Sequence, residues 1–331
     1  MKLNDVTGIL IVGAGKMGCD IMAQFLECDF NVYAYDNDPV NAGTAGERVQ
    51  KNLGWIEQKR KDGEHQRVHP DGFADEAMTR FTMLDNLELL GYLSDDIQIV
   101  LEAVYEDKVV KKALLLQLAG LLPDDVIFLT NTSSVNVEEM AQPAGIQRRM
   151  VGTHFMNPAY MMPAVEVVKT DAVDEDVLQL VLELLSEKLG KIPFVAANVT
   201  GFWVNKLLVP QMLEALRSLE RGEITVQDGD TGLKKSLGHP QGTFKLWDLI
   251  GLDTMLRVAF AMYLATQDPR YYPPFTLISM VMEGKLGQKT SEGFWKWEGM
   301  KTTEPVDFSN GTLQLLMDDI FGGEEEPDEE E

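Results

Sequence analysis

The chain has 331 residues, 45% of them hydrophobic, enough for two packed domains. Its formal net charge of −24 excludes general nucleic-acid binding, and no apolar run reaches the length of a membrane span. The first residues hold no basic, cleavable leader, so a soluble cytoplasmic protein, or one already stripped of a targeting segment, is expected.

In chain order, strand-like runs are predicted at Ile9–Gly13, Asn31–Asp36, Ile97–Ala103, Val126–Asn131, Met150–His154 and Ala164–Val168, with helical patterns between most of them. Such alternation predicts a doubly wound, mostly parallel sheet. Cys19 and Cys28 fall nine positions apart on the first predicted helix, about 14 Å at helical rise. A disulfide needs about 4.4–6.8 Å between Cα atoms, so the two cannot pair, and a reducing compartment fits. They offer no zinc spacing, and no metal is expected. The charged stretch from Val40 to Arg80 reads as an inserted helical pair with a turn at Pro70-Asp71-Gly72. His65 and His69 fall in this polar stretch and are expected in solvent.

The strand pattern stops near Ala197, which sets a first domain of 1–197 and a second of 198–321. In the second, Phe202, Leu207, Leu208, Met212, Leu213, Leu216 and Leu219 recur at helical spacing. Pro210 is placed to kink that helix and Gly222 to end it. Thr243–Thr266 and Pro274–Glu283 also read as helical, so the second domain is expected to be all-α. His239 reads as a turn residue. Residues 322–331 form an acidic tail, expected to be disordered and solvated.

The first strand runs into Gly13-Ala14-Gly15-Lys16-Met17-Gly18 and then a helix. Gly13 allows a tight turn, Gly15 lets backbone amides approach a pyrophosphate at the helix N-terminus, and Gly18 permits close helix–strand packing. Asp36 ends the next strand, placed to accept hydrogen bonds from ribose hydroxyls. A 2′-phosphate there would face a carboxylate, and Asn37 and Asp38 follow with no Arg. The cofactor is therefore read as NAD. Asp20, one turn into the helix, adds negative charge near the pyrophosphate and is expected to point outward.

Further segments stand in order along the chain: Glu102-Ala103-Val104-Tyr105-Glu106, Asn131-Thr132-Ser133-Ser134, His154-Phe155-Met156-Asn157-Pro158, Val165-Glu166-Val167-Val168, Gly201-Phe202-Trp203-Val204-Asn205-Lys206, Gly284–Thr290 and Gly293-Phe294-Trp295. Together, from about Gly8 to Trp297, they resemble the 3-hydroxyacyl-CoA dehydrogenase family, including the 3-hydroxybutyryl-CoA dehydrogenases. The resemblance implies a Rossmann-like first domain, a helical second domain, a homodimer built through the latter, and oxidation of an L-3-hydroxyacyl-CoA to the 3-ketoacyl-CoA. It assigns His154 as catalytic base and Glu166 as its partner. Ser133 and Asn205 match residues contacting the substrate oxygen, while Glu106, Lys111 and Asn157, with Ser133, match positions around the nicotinamide end. Asn52 and Lys59 match CoA contacts. The chain departs from the family at Lys206 (usually Arg), Thr200 and Thr243 (usually Pro), Ser291 (usually Gly) and the bulky Trp203. Asn157-Pro158-Ala159-Tyr160 is also similar to the gulonate dehydrogenases of the lambda-crystallin branch.

The chemistry supports these roles independently. Removing a secondary alcohol's proton as hydride leaves suits neutral imidazole near pH 7, and a strand's end is where open α/β sheets gather ligands. A carboxylate inside the apolar run Val165–Val168 is costly unless paired, and His154 is the candidate partner. Ser133 could instead be a helix N-cap, and Asn205 a surface amide. Lys59-Arg60-Lys61 is either a solvated helix face or a phosphate-binding edge. Two alternatives remain: a hydroxy-acid or sugar-acid dehydrogenase with the same His–Glu pair, and a non-catalytic NAD-binding protein.

Overall fold

A computed structural model describes residues 1–61 and 69–308, and Cα packing divides the chain into two compact units, Met1–Trp203 and Val204–Glu331. His65, the side chains of Arg60 and Lys61, and the acidic tail lie outside the described residues.

The first unit is a single eight-stranded sheet. Its strands are β1 (Gly8–Val12), β2 (Asn31–Tyr35), β3 (Phe81–Met83), β4 (Ile99–Glu102), β5 (Ile127–Thr130), β6 (Met150–Phe155), β7 (Ala164–Lys169) and β8 (Ile192–Ala197), in spatial order β3-β2-β1-β4-β5-β6-β7-β8. The order reverses between β1 and β4, so the crevice beyond their carboxyl ends is the topological switch point of an open α/β sheet. Every neighbouring pair is parallel except β6 with β7. The helices are α1 (Lys16–Glu27), α2 (Pro39–Lys61), α3 (Phe73–Met78), α4 (Leu90–Leu93), α5 (Lys108–Leu121), α6 (Val137–Ala141) and α7 (Glu175–Glu183). β1 is apolar throughout because both its faces are covered. Ile9 and Ile11 enter the core with α1 and α2, while Leu10 and Val12 enter the core with α5, as alternation along a strand requires.

The inserted helical pair is present as α2 and α3, separated by a turn at Gly72 (φ 81°). Two strands escape the sequence reading. β3 has only three residues, and β8 carries Pro193, a residue sheets tolerate at an edge; β8 is the edge strand. Residues 198–203 stay with the first unit rather than opening the second. Asn198 Oδ1 accepts from the Val137 amide at 3.0 Å, and the Trp203 amide donates to Glu166 at 2.6 Å.

The second unit holds α8 (Val204–Glu220), α9 (Val226–Leu237), α10 (Thr243–Ile250), α11 (Leu252–Thr266) and α12 (Phe275–Met282), followed by a hairpin of β9 (Trp295–Glu298) and β10 (Lys301–Pro305). The unit is helical, as the patterning suggested, with this one short hairpin added among the described residues. The hairpin is held by buried Asp248, which accepts from the amides of Phe294 (2.9 Å) and Trp295 (2.8 Å) and from the Trp297 indole (2.9 Å). The stretch read as one helix from Thr243 to Thr266 breaks at Gly251 (φ 100°) into α10 and α11, bent by 96°. Thr243 opens α10, a position at which a proline would also be tolerated. Ser291 stands in the left-handed region at φ 63°, a conformation that favours glycine.

Candidate active site

The glycine loop sits at the switch point. Gly13 adopts φ 106°, and a Cβ there would lie 2.4 Å from the Ala103 carbonyl oxygen; one at Gly18 would lie 1.8 Å from the Gly13 oxygen. Both glycines are demanded by packing. Gly15, the N-cap of α1, differs: a Cβ there would meet nothing within 4 Å. The space above the helix N-terminus is open, as a pyrophosphate held by the amides of Lys16, Met17 and Gly18 requires. Asp36 closes the loop, its Oδ2 accepting from the Ala14 amide at 2.6 Å and its Oδ1 from the Asp38 amide at 2.8 Å. Its orientation is fixed before any ribose arrives. These residues fit a dinucleotide.

The loops after β4 and β5 meet through Glu106. Its Oε1 accepts from Thr132 Oγ1 (2.5 Å) and from the amides of Ser133 (2.9 Å) and Ser134 (3.1 Å). Its Oε2 lies 2.8 Å from Lys111 Nζ. Burial alone would raise the Glu106 carboxyl's pKa, but Lys111, Thr132 and Ser133 outweigh it and hold the carboxyl below its ordinary range. Lys111 was matched to the nicotinamide end, yet it is almost fully buried, and the same Nζ lies 2.9 and 3.0 Å from the two oxygens of fully buried Glu102. Its three ammonium protons are spent on Glu102 and Glu106. Burial opposes its charge, but those two carboxylates raise its pKa above the ordinary value. Lys111 thus links buried Glu102 to Glu106, the carboxylate that ties the two loops together. Glu102 receives two more donors, Thr130 Oγ1 (2.6 Å) and the Val104 amide (2.7 Å), a role the sequence reading did not assign. Ser133 is not a helix cap, since Asn136 caps α6 by accepting from the Glu139 amide. Asn157 is exposed in the loop after β6.

His154 and Glu166 face each other across the antiparallel β6–β7 pair of the eight-stranded sheet, in direct register, the relation in which opposite side chains come closest. His154 Nδ1 lies 3.0 Å from Glu166 Oε2. Glu166 is fully buried, and its Oε1 accepts from the Trp203 amide at 2.6 Å. That donor fixes the carboxylate, the carboxylate holds Nδ1, and Nε2 is the nitrogen left to meet a substrate. Phe202, at a tilt of 58°, packs 6.1 Å from the imidazole between ring centroids. The neighbouring backbone is anchored by Asn131, whose Oδ1 accepts from the Phe155 amide at 2.9 Å. Asn205 lies half-buried in the first turn of α8, in the second unit.

Asp20 does not point outward. It is buried, 4% exposed, and its Oδ1 accepts from Asn52 Nδ2 at 3.0 Å. Burial pushes its carboxyl up to about 6, against the opposing pull of Lys16, Asn52 and the Ala159 amide. Asn52 is therefore anchored to α1 on one side. Lys59 Nζ rests 5.8 Å from the centroid of the Trp55 ring, and Trp55 in turn packs on Tyr160. His69 is not a solvated linker residue. It stacks on Phe73 at 3.6 Å, with Nε2 3.6 Å from buried Glu27.

A dinucleotide cradle and a carboxylate-backed imidazole on one mostly parallel sheet equip a protein for nicotinamide-dependent dehydrogenation. The model of the 3-hydroxyacyl-CoA dehydrogenase NAD binding domain matches residues 8–199, and that of the family's C-terminal domain matches 201–297. This chain belongs to the 3-hydroxyacyl-CoA dehydrogenase family and is an NAD-dependent enzyme. It is 34% identical over 288 residues to a 3-hydroxybutyryl-CoA dehydrogenase of Mycobacterium tuberculosis, covering 87% of this chain and 97% of that one. It is 31% identical to the mitochondrial hydroxyacyl-coenzyme A dehydrogenase of Sus scrofa, covering 88% of this chain and 92% of that protein. The crystal structure of (S)-3-hydroxybutyryl-CoA dehydrogenase from Ralstonia eutropha superposes with a TM-score of 0.77 at 30% identity, covering 88% of this chain and 99% of that one.

Proposed function

We propose that His154 is the general base in oxidation of the 3-hydroxyl group of an L-3-hydroxyacyl-CoA, and that Glu166 holds it in the competent tautomer. The observation that carries this reading is the 3.0 Å contact of Nδ1 with a carboxylate that is itself fixed by the Trp203 amide. With Nδ1–H donated to Glu166, Nε2 is unprotonated and can accept the hydroxyl proton. The imidazolium so formed lies against a buried negative charge. Bound NAD supplies the hydride acceptor. The chain's part is to hold its pyrophosphate on the α1 N-terminus, its ribose on Asp36, and its nicotinamide end beside the loop that Glu106 ties to Ser133.

Asn52 and Lys59 on α2 are proposed to contact the CoA portion, and the helical unit to pair two copies of the chain. Exposed Leu207, Leu237 and Leu264 on its helices support pairing. The reading is tested by His154→Ala. With L-3-hydroxybutyryl-CoA, kcat should fall by roughly 10²–10⁴, while NAD binding by fluorescence quenching persists. A near-normal kcat would overturn the assignment, and preferential turnover of free 3-hydroxybutyrate or gulonate would overturn the CoA part of it.

A further inference from the structure

We infer that Asp20 sets the polarity with which Asn52 faces the substrate, turning its amide carbonyl outward so that the group it meets is a hydrogen-bond donor and not a phosphate. The inference rests on the proposed acyl-CoA reading. Asp20 lies in the second turn of α1, and its carboxylate can only accept when ionised. Asn52, across from it on α2, gives it Nδ2 at 3.0 Å. An amide pinned by its nitrogen presents its oxygen on the other side. Among the described residues no donor meets that oxygen, and Asn52 is half-buried rather than enclosed. A phosphate offers only acceptors and would be repelled by the carbonyl. The pantetheine arm of CoA offers two amide N–H groups and a hydroxyl, and the adenine ring offers an amino group.

The device depends on the charge of Asp20. Its surroundings are Lys16 on α1, Asn52 on α2, and Ala159 with Tyr160 in the loop after β6. Burial pushes its carboxyl up to about 6. Below that pH it carries a proton, can itself donate, and no longer compels Asn52 to turn its nitrogen inward.

The test uses the full chain with acetoacetyl-CoA and acetoacetyl-pantetheine, which lacks every phosphate and the adenine. Asp20→Ala frees the amide and should raise KM about fivefold, the worth of one oriented hydrogen bond, with kcat little changed. The exchange Asp20→Asn with Asn52→Asp restores a donor inside and an acceptor outside, and should bring KM back within about twofold. A phosphate at this position would instead meet a carboxylate in the exchanged pair, and KM would rise beyond that of Asp20→Ala. That result, or an unchanged KM in Asp20→Ala, overturns the inference. An equal effect on both thioesters places the donor on the pantetheine arm; an effect on the CoA thioester alone, reversed by the exchange, places it on the adenine. For the wild type, KM for acetoacetyl-CoA, and for acetoacetyl-pantetheine too where the donor lies on the pantetheine arm, should rise as pH falls through about 6, and Asp20→Ala should lose that dependence. If the wild type turns over neither thioester, the acyl-CoA reading fails and this inference with it.

Discussion

Glu166→Gln changes one oxygen of a buried side chain to an NH₂ group, and two of its neighbours, the Trp203 amide and His154, bear on which way the new amide turns. The Trp203 amide can only donate, so it requires the oxygen of the new side chain at its 2.6 Å contact. The NH₂ group is thereby turned toward His154 Nδ1, 3.0 Å away. Two donors cannot face each other there, so Nδ1 must become the acceptor and the ring proton moves to Nε2. That is the wrong tautomer for a base, and the buried charge that would stabilise the imidazolium is gone as well. The alternative placement sets NH₂ against the Trp203 N–H and leaves a buried donor unpaired, at a cost of about 1–3 kcal/mol. The loss in kcat for oxidation of L-3-hydroxybutyryl-CoA should therefore be roughly 10³–10⁴, by analogy with a tautomer-fixing carboxylate in other His-based sites. NADH formation at 340 nm under saturating NAD measures it, with thermal unfolding as the control for folding. A kcat within about threefold of wild type, in a folded protein, would refute this account of the pair.

Lys111→Met removes the cation between two carboxylates and leaves Glu102 buried without its counter-charge; denaturant unfolding should show a loss of about 3–5 kcal/mol, part of it recovered by adding Glu102→Gln. The sign of the pH effect is set by Glu106. Its depressed carboxyl contributes stability above the ordinary carboxylate range that is lost as pH falls through the depressed value; without Lys111 that acid-sensitive contribution should shrink, as unfolding midpoints between pH 7 and pH 4 would show. Gly15→Ala should fold normally, since a Cβ there meets open space, yet raise KM for NAD roughly tenfold, whereas Gly13→Ala should destabilise the fold; a normal KM in Gly15→Ala would remove Gly15 from the cofactor site. NAD should be preferred over NADP by about a hundredfold in kcat/KM, as a charge clash of about 3 kcal/mol at Asp36 requires, and equal values would contradict the role of that carboxylate. Light scattering at micromolar concentration should give a dimer.

The chain's alternation of strand and helix, its glycine loop and its His–Glu pair were all legible because each depends on local pattern or short spacing. The burial of Lys111 was not. The family resemblance matched it to the nicotinamide end, and its contact with Glu102 at the end of β4 is one that spacing alone does not reveal. Asp20 failed for the same reason: a helical carboxylate is ordinarily solvated, and only the approach of α2 and the loop after β6 encloses it. α9 was hidden by Gly229 and Gly232, poor helix formers. Gly229 is required because a Cβ there would come within 2.7 Å of the Phe244 ring. The β9–β10 hairpin depends on Asp248, forty-six residues before Phe294.

The antiparallel pairing of β6 with β7 separates two kinds of change to this enzyme. The connection between them, residues 156–163, can gain or lose residues without moving His154 from its place opposite Glu166, because the ladder between Gly152 and Val168 sets that alignment. One residue added inside either strand would instead rotate the imidazole or the carboxylate to the opposite face of the sheet. Loops grafted between Phe155 and Ala164 would thus leave His154 in register with Glu166.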